Sequence, residues 1–138
     1  MISLKSWRSA MLSVPLLLAG CGAIAPRTAW DASKAGKKPD SWKCFEGKGA
    51  YQNYVSSYCY ADGGECERER QSFGEGNPST LSNLGMCGLE TKVFCYQAAY
   101  AKEVVLQCAK TSEDCERHAD GKTMQGGGIS SVSTCSAM

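Results

Sequence analysis

Between Cys44 and Cys135 one cysteine spacing is written twice, and this constrains folding more than any other feature of the 138 residues. Cys44, Cys59, Cys66 and Cys87 form C-x14-C-x6-C-x20-C; Cys95, Cys108, Cys115 and Cys135 form C-x12-C-x6-C-x19-C. Flanking residues repeat as well. Trp42-Lys43-Cys44-Phe45 is echoed by Val93-Phe94-Cys95-Tyr96, and Glu65-Cys66-Glu67-Arg68 by Asp114-Cys115-Glu116-Arg117. The pattern reads as a duplicated unit, with copies at 41–89 and 92–138.

A chain of this length leaves room for one domain. Its core is poor: from Ser41 to Met138 there are thirteen Leu, Ile, Val and Phe residues, a share at which burial alone rarely stabilises a fold. Small domains of this kind need staples, and eight cysteines in the same stretch can supply them. Formal charge is close to balanced, with 15 basic and 14 acidic side chains. That balance gives no support to nucleic-acid binding, which calls for a basic face on the domain.

The first 20 residues have the order of an export signal: Lys5 and Arg8, an apolar run from Ala10 to Leu18, then Leu18-Ala19-Gly20-Cys21. The apolar run is too short to span a hydrocarbon core of about 30 Å. In these residues the chain resembles a bacterial lipoprotein precursor, since Leu18-Ala19-Gly20-Cys21 matches that family's lipobox at every position. The resemblance covers the leader only. It implies cleavage before Cys21, a diacylglycerol on its thiol and acylation of its amine, so that lipid chains hold the protein at a membrane. Gly22 in place of aspartate implies an outer-membrane address. Lipidation of Cys21 would also leave an even number of cysteines to pair. Residues 21–40, with Ala, Ser, Gly, Pro and Lys and no sustained apolar period, are expected to be the lipidated cysteine and a flexible tether reaching roughly 25 Å. Trp30 is its exception, able to pack on the domain or sit at the membrane interface.

Within the first unit, strand formers cluster at Ser41 to Phe45 and Tyr54 to Tyr60, a helix is expected over Glu65 to Phe73, and a third strand includes Leu84 to Leu89. Gly74-Glu75-Gly76-Asn77-Pro78 stops the helix, because neither glycine nor proline favours its continuation. The second unit repeats the plan with strands at Lys92 to Gln97, Glu103 to Ala109 and Ile129 to Cys135. Its helix starts at Thr111, whose hydroxyl stands three residues before Asp114 as in a capping box. The expected fold is α+β: two β-β-α-β units packed about a pseudo-twofold axis.

Zinc sites favour cysteine pairs separated by about two to four residues, and redox enzymes favour Cys-x-x-Cys; neither spacing occurs here. No metal or other cofactor is therefore expected, and a disulfide framework in an oxidising compartment fits best. Connectivity stays open. One arrangement joins Cys59 to Cys66 and Cys108 to Cys115, with Cys44–Cys87 and Cys95–Cys135 closing each unit. Its rival pairs Cys87 with Cys95 and Cys44 with Cys135, tying the units together.

Candidate sites are few. Tyr51, Tyr54, Tyr58 and Tyr60 form the densest aromatic cluster, suited to sugar or protein recognition but also needed to fill a core short of aliphatics. His118 is expected at the surface, with Glu69 in the matching place of the first unit. Gly126-Gly127-Gly128 lacks the Gly-Lys-Ser/Thr of a phosphate loop and reads as a flexible connection. These features favour a non-enzymatic, lipid-anchored module that recognises a protein or envelope component at the membrane surface, with no nucleic-acid partner. The Cys44-Phe45 and Cys-Glu-Arg repeats are faintly similar to cysteine-rich segments of myxobacterial secreted proteins and lipoproteins, which implies adhesion or motility machinery. The alternatives are an inhibitor or immunity protein using the Gly74 to Thr80 loop against a secreted hydrolase, and an envelope hydrolase using Glu113 and Asp114.

Overall fold

The computed structural model describes residues 24–49, 53–75 and 81–138. Cys21, Tyr51 and residues 76–80 of the Gly74 to Thr80 loop lie outside them. In chain order the elements are β1 (Arg27–Thr28), one 3-10 turn (Ala32–Lys34), β2 (Trp42–Gly49), β3 (Val55–Tyr60), α1 (Gly63–Glu75), β4 (Leu81–Ser82), β5 (Gly88–Glu90), β6 (Phe94–Ala99), β7 (Val104–Ala109), α2 (Ser112–Thr123), β8 (Ser131–Ser133) and β9 (Ser136–Ala137). The fold is a small, disulfide-rich α+β domain built on one sheet. The third strand expected over Leu84 to Leu89 is instead two short strands, β4 and β5, both paired with β2; likewise β8 and β9 both pair with β6.

Alternation along the hairpins sends their two side-chain sets to different layers. On one face Phe45 packs with Cys66 and Phe73, while Tyr96, Ala98 and Ala109 pack with Cys115 and Ala119; both helices therefore cover this face. On the other, Trp42, Cys44, Cys59, Cys95 and Cys108 form a cluster with Val93, covered by Trp30 and Met138. Phe45 is wholly buried, a burial that stabilises by roughly 2–3 kcal/mol.

This layering decides the disulfides. The bonds are Cys44–Cys59, Cys66–Cys87, Cys95–Cys108 and Cys115–Cys135, which corrects both pairings expected from sequence. Cys44 stands directly opposite Cys59, and Cys95 opposite Cys108. Their Cα separations of 4.1 and 4.0 Å match the closer type of antiparallel pair, in which side chains meet across the strands. Cys59 and Cys108 thus point away from the helices and cannot reach Cys66 and Cys115. Those two instead tie each helix to the chain just before β5 or β9.

The halves meet at β3 and β7, where Cys59 is opposite Cys108. Strand order runs β1-β8-β6-β7-β3-β2-β4. The two halves have the same element order and the same internal pairing of cysteines.

The segment expected to be a free tether is in large part docked. β1 runs parallel to β8, Ala25 N donates to Thr123 O, Val132 N to Pro26 O and Thr134 N to Thr28 O. Arg27 donates to Asp120, Glu116 and the Ser133 carbonyl. Asp31 and Gln97 exchange hydrogen bonds, and Trp30 packs on the disulfide cluster, the first of the two places expected for it. Composition suggested a linker because this segment adds a strand by backbone bonding, which needs no apolar periodicity.

Candidate functional site

Between the two helices a cleft opens over the sheet, part of a pocket of about 990 Å³ that also takes in Lys37, Pro39, Trp42 and Leu106. Its floor follows from strand alternation: Tyr58 and Tyr60 from β3, Tyr96 from β6, and Val105 and Gln107 from β7. Glu65, Glu69 and Phe73 line it from α1, and His118 and Lys122 from α2. Phe45 and Phe73 hold Tyr58 at ring-centroid distances of 5.6 and 4.7 Å, so the floor is set by packed rings. Tyr96 donates its hydroxyl to Gln107 Oε1. Burial pushes the phenols of Tyr58, Tyr60 and Tyr96 up from their ordinary value, and they are neutral hydroxyls throughout the physiological range.

Of the tyrosines expected to form a binding face, Tyr54, Tyr58 and Tyr60 border this cleft, and Tyr51 lies outside the described residues. Tyr54 carries the Arg117 guanidinium 4.2 Å above its ring. Tyr58 and Tyr60 also belong to the core beneath α1, so the binding and core-filling expectations meet in the same side chains.

His118 is not the surface residue expected from sequence. Its side chain is 14% exposed, stacked on Tyr58 at 4.6 Å, with Nε2 2.6 Å from Ser56 Oγ and 3.3 Å from Asp114 Oδ1. Burial lowers its pKa, Arg117 acts in the same direction and Asp114 opposes them. Serine, histidine and aspartate thus meet, but both oxygens approach the same ring nitrogen. A nucleophile–base–orienter relay needs the serine on one nitrogen and the carboxylate on the other, and Ser56 is itself buried.

Asp114 explains the cluster. It is a buried carboxylate that accepts from Ser57 N at 2.5 Å, Ser57 Oγ at 2.6 Å and Arg117. Continuing the β3–β7 register from Cys59 and Cys108 would place Ser57 opposite Lys110. Instead, Ser57 N–H goes to Asp114 and Lys110 N–H to Ser57 Oγ at 2.9 Å. The carboxylate replaces a ladder partner and locks α2 of the second half onto β3 of the first. Thr111 Oγ1 caps the Asp114 N–H, as the sequence indicates. Glu113 faces solvent while Asp114 is buried, so these adjacent acids share no site.

Among the described residues no three His, Cys, Asp or Glu side chains converge as metal ligands would, and no helix is long and apolar enough to cross a membrane. Ser56, Phe73, Tyr96 and Gln107 were not singled out from sequence, nor was the meeting of Ser56 with Asp114 and His118. The signal for Ser56 was the alternation Ser56, Tyr58, Tyr60 in β3; the signal for Asp114 was its place where the first unit has Glu65. No protein-family model, curated protein or solved structure matches this chain.

Proposed function

We propose that this chain is a non-enzymatic, lipid-anchored binding module of the bacterial envelope, whose inter-helix cleft receives a segment of a partner protein or an envelope component. The cleft with its aromatic floor carries the reading. The half-buried Tyr58 and Tyr60 give contact area at low entropy cost, the α1 wall carries Glu65 and Glu69, and the α2 wall carries Lys122. Four disulfides suit an oxidising compartment, and the lipobox at Cys21 supplies the anchor. We further read the two halves as a duplication, on the strength of their common element order, their matching disulfides and the Cys59–Cys108 juxtaposition.

Photo-cross-linking in the native envelope tests the proposal. A benzophenone amino acid at Glu69, on the cleft wall, is expected to capture one discrete partner, whereas the same group at exposed Leu89 captures none. Equal capture from both positions, or none from Glu69, would sink the cleft as the binding site. Cys21→Ala is expected to release the protein from the membrane fraction; retention there would remove the anchor.

A further inference from the structure

The docked N-terminal segment leaves almost no slack between Cys21 and the folded domain. Ala25 is buried and its N–H is bonded to Thr123 O; Arg27–Thr28 is already a strand of the sheet. Three Cα–Cα steps separate Cys21 from Ile24, and at about 3.6 Å each they span no more than about 11 Å. A headgroup layer is itself about 5–8 Å thick. Whatever path residues 21–23 take, a lipid on Cys21 brings this corner against the headgroups.

The corner is suited to that position. Ile24 and Met124 are 71% and 70% exposed, and the Ala25–Thr123 hydrogen bond places their backbones side by side. Lys122, in the last turn of α2 just before Met124, is the cation at this end of the helix. The following glycines, Gly126, Gly127 and Gly128, have φ of 68, 70 and 81°, a left-handed turn with no side chains to hold the domain off. Among the described residues the other exposed large apolar side chains, Val55, Met86 and Leu89, belong to the first of the two units.

We propose that the corner formed by Ile24, Lys122, Met124 and the glycine turn docks on the phospholipid surface in which the chain's own acyl groups sit, fixing the domain's orientation to the membrane. The docking rests on the lipid-anchor reading of Cys21. Because Lys122 also lines the cleft, the α2 wall of the cleft then stands beside the bilayer, and a ligand is met at the membrane surface rather than at the end of a long tether.

The test uses the mature lipoprotein in phosphatidylethanolamine–phosphatidylglycerol vesicles. Met124→p-acetylphenylalanine and, separately, Met86→p-acetylphenylalanine carry a nitroxide without touching any cysteine, and both sites are exposed enough to accept it. Intact mass first reports whether Cys21 is acylated. The expected result is a several-fold higher ratio of oxygen to water-soluble nickel-chelate collisions at Met124 than at Met86. An acylated protein with equal ratios at the two sites overturns the docking and leaves the anchor standing. An unacylated Cys21, with protein that washes off the vesicles, overturns both.

Discussion

The two halves have nearly the same scaffold and different polar interiors. Relative to the cysteine preceding the body of each helix, Glu65 and Glu69 of α1 occupy the places of Asp114 and His118 of α2. The caps agree: Asp62 accepts from Glu65 N at 2.8 Å as Thr111 does from Asp114 N at 3.1 Å. What lies beneath does not. The second helix finds Ser56 and Ser57 on the neighbouring strand; the matching positions of β7 are Val105 and Leu106. Asp114 and His118 therefore turn inward and close their side of the sheet, while Glu65 and Glu69 face solvent on the wall of the cleft. One architecture, with two serines exchanged for two aliphatics, yields a locked side and an open side.

The sharpest way to break this comparison is to remove the matching acids. Asp114→Ala strands the Ser57 N–H and the Arg117 charge, and loss of one member of a buried ionic network costs about 3–5 kcal/mol. Arg117 is 30% exposed in its side chain, so the lower end is expected. Glu65→Ala at a solvent-facing position is expected to stay within about 0.5 kcal/mol. Urea unfolding with unchanged slope reads both; equal losses would mean that the halves do not differ as described.

Disulfide removal probes the opposite point, the sameness of the scaffold. Cys66→Ala/Cys87→Ala and Cys115→Ala/Cys135→Ala open loops with separations of 21 and 20 residues, so the loop-entropy contributions are nearly identical. Each double variant is expected to lose about 2–4 kcal/mol, and the two losses should agree within about 1 kcal/mol in thermal or urea unfolding. A markedly larger loss in one half would show that its helix depends on its bridge in a way the other does not.

The locked second helix also carries a pH response. His118 has its pKa lowered first by burial, so below about pH 6.5 the unfolded chain binds a proton that the folded chain resists. Stability is then full above that pH and falls as pH drops toward the folded value, with a slope of at most about 1.4 kcal/mol per pH unit from this group. His118→Gln should flatten the curve in this window. Glu116 titrates lower: burial raises its pKa, but the Cys135 N–H and Arg27 outweigh burial and bring it below 4.5, so its contribution is lost only in more acidic solution. An unaltered pH profile in His118→Gln would place the sensitivity elsewhere.

The sequence made the class, the helices and the cap at Thr111 legible, because these depend on local patterns: turn glycines, strand formers and a hydroxyl three residues before a carboxylate. It did not reveal the disulfide pairing, since that depends on which face each cysteine takes. The alternation Cys44/Phe45 and Tyr58/Cys59 held the answer once β2 and β3 were paired. Tyr58 and Tyr60 were visible as aromatics, but their place on the cleft floor depends on two helices meeting the sheet apart. His118 looked like a surface residue because Glu69 stands in its matching position. Its burial comes from Ser56 on the other half, a contact 62 residues away in sequence.

The smallest expected difference lies at the outer edges. β8 is bonded on its outer side by β1, with Val132 N and Thr134 N donating to Pro26 O and Thr28 O; on the other edge, no added strand covers β4 among the described residues. An uncovered edge exchanges its amide hydrogens freely, whereas one held by an extra strand exchanges only through opening of that strand. Hydrogen exchange should accordingly find Val132 and Thr134 protected, and Asn83 and Met86 fast. Arg27 fastens the covering strand through Glu116 and Asp120, at 2.6 and 2.5 Å, but both acids are substantially exposed. Such pairs contribute about 1 kcal/mol at most. Arg27→Ala should therefore speed exchange at Val132 and Thr134 by a factor of about five and leave the β4 edge unchanged. If exchange at Val132 is already as fast as at Asn83 in the unaltered protein, β1 is not a working strand, and the short reach from Cys21 to the domain is lost with it.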